Sequence, residues 1–82
     1  MLTPSEDIEV YFANADGNPD DWVGFFYPGA PHTDYNEIQW MYTGGALDGT
    51  LNFGGLPADN YEIRFFFNDS YTLEASYEIT VE

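Results

Sequence analysis

Apolar and polar residues alternate with a period of two along most of this chain, and clusters of Gly, Pro, Asn and Asp interrupt the alternation at short intervals. That pattern predicts short β-strands joined by turns. Asp7 to Ala13 places Ile8, Val10 and Phe12 on one face and Glu9 and Tyr11 on the other, so it reads as a half-buried strand. ADGNPDD then turns the chain, because Gly17 and Pro19 exclude a continued strand. Trp22 to Tyr27, Ile38 to Thr43 and Thr50 to Phe53 are the next three strands. Tyr61 to Asn68 follows, with Tyr61, Ile63, Phe65 and Phe67 sharing one face and Glu62, Arg64 and Phe66 the other. Asn68-Asp69-Ser70 makes a tight turn. The last strand carries the longest alternation, with Tyr71, Leu73, Ala75, Tyr77, Ile79 and Val81 expected inward. Helix signals are missing, so the expected fold is all-β, a two-sheet antiparallel sandwich of six or seven strands.

Composition sharpens this picture. The 82 residues suffice for a single domain spanning 1–82, and seven Phe, seven Tyr and two Trp supply its core. Cysteine is absent, which excludes disulfides, thiolate metal sites and cysteine nucleophiles. Fifteen Asp and Glu against one basic residue, Arg64, give a formal net charge of −14. Nucleic acid and anionic membranes are therefore excluded as partners, since both require Lys and Arg. Self-repulsion of this size is relieved by salt or bound cations, which suits a saline or calcium-rich extracellular setting.

Two motifs carry a resemblance. LPADNYEIRF, Leu56 to Phe65, resembles the tyrosine corner of Greek-key sandwiches, in which the phenol of Tyr61 would reach back to the upstream backbone. Across nearly the whole chain, EDIEVYFANADGNPDDWVGFFYPG, IQWMYTGG and GTLNFGGLPADNYEIRFFFNDSYTLEASYEITV together resemble small Ig/fibronectin-III-like modules of secreted bacterial proteins. DWVGFFYPG is also similar to a strand of SKICH domains and of the amino-terminal domain of purple acid phosphatases. The resemblance implies an Ig/fibronectin-III-like sandwich that is not itself catalytic, with the family's first edge strand missing or reduced to Met1–Pro4. It also implies a monomeric accessory module on the cell surface or outside the cell, working beside neighbouring domains of a larger protein.

Candidate chemistry is sparse. One His, no Cys and no Lys leave triads and histidine zinc sites without partners, so no enzymatic activity is expected; His32 reads as a surface residue. Asp16, Asn18, Asp20 and Asp21 offer hard oxygen ligands at the spacing that opens an EF-hand loop. Asp21 stands where that loop needs Gly and Tyr27 where it needs Glu, so the motif is not an EF-hand. A looser calcium site, completed by carbonyls, by Asp34–Glu37 or by Asp69, competes with a plain Asx-rich turn. The most concrete function is binding of a neutral polysaccharide on an aromatic outer face. Strand parity nominates Trp22 and Phe26 beside Arg64 and Phe66, with Trp40, Ile38 and Tyr42 sharing a face of the third strand. The alternative is a calcium-stabilised spacer or protein-interaction domain without a ligand of its own.

Overall fold

The computed structural model describes residues 3, 4 and 6–82. Among these residues six strands form: β1 (Ile8–Phe12), β2 (Trp22–Phe26), β3 (Trp40–Tyr42), β4 (Gly49–Phe53), β5 (Asp59–Phe66) and β6 (Leu73–Val81), with one 3-10 turn at His32–Asp34. They make two antiparallel sheets, a two-stranded β1-β4 and a four-stranded β3-β2-β5-β6. The all-β two-sheet sandwich expected from the alternation is thus the fold, in its six-stranded form. The expected edge strand at Met1–Pro4 involves Met1 and Leu2, which lie outside the described residues.

Parity places the core between the sheets. Ile8 and Phe12 from β1, Val23 and Phe25 from β2, Phe53 from β4, and Tyr61 and Phe65 from β5 form one buried cluster. Phe25 and Phe53 meet edge to face at 4.7 Å, and Phe12 meets Phe65 at 5.9 Å. Tyr61 donates its hydroxyl to the Pro57 carbonyl at 2.6 Å, so the tyrosine corner forms. Burial raises the phenol's pKa above its ordinary value and keeps it a donor. Asn68 and Asp69 take left-handed φ angles of 53° and 55° in the β5–β6 turn, the conformation that turn asks of them.

The two lateral sides of the sandwich are closed differently. Where β3 adjoins β4, the Gln39 carboxamide donates to the Gly54 carbonyl at 2.9 Å and accepts the Gly54 amide at 3.0 Å. One side chain therefore completes a rung between the sheets. Where β1 faces β6 nothing comparable bridges the sheets among the described residues, and the apolar face of β6 is largely in water. The expectation that Ala75 and Tyr77 point into a core fails for this reason, with Tyr77 69% exposed. Their alternation is real, but a two-stranded sheet is roughly 10 Å narrower than a four-stranded one and cannot cover it. The same expectation fails for Leu73 because a register shift after Phe65 pairs it with Phe66 of the other face, and for Tyr71 because it precedes β6 and packs against Trp22.

Candidate functional site

The outer face of the four-stranded sheet holds a second core. Trp22, Phe26 and Phe66 are buried there, with Tyr35 and Trp40 packed against them. Trp22 stacks on Phe66 with ring centroids 4.2 Å apart and planes inclined by 20°, while its indole Nε1 donates to the Ser70 carbonyl at 3.2 Å. Gly24 stands between Trp22 and Phe26 on the same strand face. A Cβ at Gly24 would come within 3.0 Å of both rings, so glycine lets them close over the strand.

Arg64 clamps the loop that covers this face. Its side chain is 4% exposed; Nε pairs with the Glu62 carboxylate and Nη1 donates to the Ala30 carbonyl at 2.7 Å. The same nitrogen lies 3.0 Å from His32 Nδ1, and the guanidinium sits 4.3 Å over the Phe26 ring. His32 in turn packs its ring edge against Phe66 at 5.0 Å. Histidine and arginine thus act together as a lid fastener, and His32 is only partly exposed rather than a free surface residue.

Of the aromatic candidates, parity correctly places Trp22, Phe26 and Phe66 on the outer face beside Arg64, yet all four are buried. Phe26, Arg64 and Phe66 consequently offer no surface to a ligand. Trp40 and Tyr42 remain accessible, and Ile38, expected on their face, packs into the main core instead. β3 begins only at Trp40, so alternation does not extend back to Ile38.

The accessible rings form a pocket of about 270 Å³ lined by Trp22, Tyr35, Trp40, Tyr42, Tyr71 and Asp69. Trp22 is its nearly buried base. Trp40 stands at 78° to Trp22 and 90° to Tyr42, and Tyr71 meets Trp22 at 85°. Tyr42 donates its hydroxyl to Asp69 Oδ1 at 3.1 Å, and that bond to a carboxylate raises the phenol's pKa. The pocket therefore offers ring faces, ring edges, a held hydroxyl and a carboxylate oxygen, and it contains no cation. Tyr35 lay outside the expected strands, and Tyr71, expected inward on the last strand, stands on the outer face instead. Tyr35 follows the 3-10 turn, where period-two parity has no meaning. Tyr71 lies before β6: the Ser70 hydroxyl donates to the Phe67 carbonyl at 2.6 Å and accepts the Thr72 amide at 3.3 Å, so the chain bends there and parity resets.

The acidic turn sits beside this pocket. The Asp16 carboxylate accepts the Asn18 amide at 3.0 Å and the Asn18 side-chain oxygen accepts the Asp20 amide at 2.8 Å, two successive Asx turns. Asp21 is fully buried and joins three loops: its amide donates to the Asn18 carbonyl, its carbonyl accepts the Thr43 amide, and Oδ1 accepts the Asn68 amide at 3.0 Å. Its Oδ2 is buried with no donor. Burial, reinforced by the neighbouring Asp16 carboxyl, raises the Asp21 pKa, and the pairing with Asp21 lowers that of Asp16. Of the four calcium candidates, Asp16 and Asp21 set their carboxyls against one another, Asn18 Oδ1 already accepts a backbone amide, and Asp20 stands exposed. Among the described residues, no three His, Cys, Asp or Glu side chains group as a metal centre. Comparison with protein-family models, with curated proteins and with solved structures returns no match.

Proposed function

We propose that this chain is a non-catalytic accessory module of a larger secreted or surface protein, and that it binds a neutral saccharide in the aromatic pocket. The observation that supports this reading is the convergence of Trp40, Tyr42, Tyr35 and Tyr71 around Asp69 over the Trp22 base. Sugar rings present C–H faces that pack on aromatic rings and hydroxyls that donate to a carboxylate and accept from a phenol. The −14 net charge also discourages anionic ligands. Retention should be measured by affinity electrophoresis in gels containing cellulose, xylan, β-1,3-glucan or agarose. The expected result is retardation on at least one gel, lost in Trp40→Ala but kept in Tyr11→Ala, whose ring is exposed elsewhere. Uniform mobility on every gel would refute saccharide binding.

A calcium-stabilised turn is a second reading, favoured by one observation: Asp21 buries a carboxylate oxygen without a donor against Asp16. A divalent cation between these carboxyls, completed by carbonyls and water, would satisfy that oxygen. Thermal unfolding with and without calcium tests it. A rise in midpoint that Asp21→Asn abolishes supports the site, and an unchanged midpoint removes it.

A further inference from the structure

The open side of the sandwich is a groove of about 430 Å³ between β1 and β6, floored by Val23, Ile63 and Phe65 and walled by Val10, Ala75 and Tyr77. Among the described residues β1 pairs with β4 alone, so half of its backbone amides and carbonyls point along its other edge, toward the space over β6. Beside β1, therefore, lie an unpaired backbone ladder, an apolar floor and the uncovered face of a neighbouring sheet, which are the three requirements of an added strand. We infer that the groove accepts an extended segment of a basic polypeptide, inserted beside β1 as a third strand of the smaller sheet, with apolar side chains inward and Lys or Arg outward.

Charge selects this occupant. Glu6, Asp7 and Glu9 stand exposed on or before β1, the strand whose free edge the segment would join. A second copy would bring another −14 against the same rim, and the repulsion opposes edge-to-edge pairing. A segment with cationic residues at every second position gains attraction from the same carboxylates and leaves its alternate positions free to enter the groove. β1 offers five residues, so a segment of about that length suffices.

The test is a titration of the isotope-labelled chain with the synthetic peptide Lys-Val-Lys-Val-Lys-Val-Lys, followed by amide chemical shifts. Shifts should cluster on residues 8–12 and 73–81, β1 amides should gain protection from exchange, and affinity should fall roughly fivefold or more between low salt and about 0.5 M salt. Replacing the central Val by Pro, which removes a ladder donor, should weaken binding at least about tenfold. Ala75→Trp, which fills the groove, should do the same while the circular dichroism spectrum is unchanged. Trp40→Ala should bind the peptide normally, so failure of the saccharide reading leaves this one intact. Equal binding of the Pro peptide or of a Glu-Val counterpart would overturn the inference. So would shifts confined to the aromatic pocket, or dimerisation of the chain alone in sedimentation.

Discussion

On its outer face the four-stranded sheet buries Trp22, Phe26 and Phe66 beneath a loop, whereas on its inner face it leaves Ala75 and Tyr77 to water. Both faces carry large apolar side chains at alternate positions, so hydrophobicity does not distinguish them. Cover does. The outer face is closed by irregular segments fastened with directional bonds, from Arg64 to the Ala30 carbonyl and from Trp22 to the Ser70 carbonyl. The inner face depends on the width of another sheet, and that sheet stops two strands short. A loop can be cut to fit a surface, but a sheet grows only in steps of about 4.8 Å.

The contrast can be broken most forcefully at paired positions on the same sheet. Phe66→Ala should lower stability by about 3–5 kcal/mol, because a fully buried ring is lost and a cavity remains under the loop. Tyr77→Ala, on the opposite face, should change it by less than about 0.5 kcal/mol. Urea unfolding monitored by tryptophan fluorescence measures both, and similar losses would erase the distinction. Next in size is Arg64→Ala, expected at about 2–4 kcal/mol, since the Ala30 carbonyl and Glu62 lose their partner inside the lid. Arg64→Lys should recover only part of this, having no planar fork to span both groups. Tyr61→Phe should cost about 1 kcal/mol, with the Pro57 carbonyl left unpaired, and should not alter ligand retention on the outer face.

The smallest effect concerns Asp21 and sharpens where the outer face ends. Its folded pKa lies above the ordinary 3.8, so its contribution to stability is full below that value and is lost as pH rises through the raised one. Asp16, with its lowered pKa, contributes above the ordinary value and loses that contribution as pH falls through the lowered one. Asp21→Asn can still accept the Asn68 amide but cannot ionise. In metal-free buffer its melting temperature relative to the parent chain should therefore climb as pH rises above 4. A difference independent of pH would show that the pair shares no proton.

Much of the fold was legible because strands report themselves through parity. Ile8, Val23, Phe25, Phe53 and Tyr61 reach the core that alternation assigns to them, and Trp22 lands on the face expected of it. Parity specifies a direction, though, and burial needs a cover that period-two patterns do not encode. The lid over Trp22 is held by a carbonyl, a carboxylate and an imidazole gathered around Arg64 from separate segments, and the bare face of β6 results from a strand count. The site was half legible for the same reason. Trp40 and Tyr42 lie on a strand and were found, while Tyr35 and Tyr71 come from a 3-10 turn and a bend.

The β1-β4 ladder also bears on the order in which this chain opens. β5 and β6 meet across a short turn, whereas β1 meets β4 only after the chain between Ile8 and Phe53 has closed. β2 spans a similar separation to reach β5, but it then pairs on both edges, whereas each strand of the smaller sheet pairs on one edge alone among the described residues, so the smaller sheet opens first. Its amides, Ile8 to Phe12 above all, should exchange with deuterium through a partial opening that leaves β2, β5 and β6 protected, as native-state exchange under mild urea would reveal. During each such opening the whole inner face is briefly bare. Each such opening leaves four strands in place without their cover, the interval in which a companion polypeptide has its widest access.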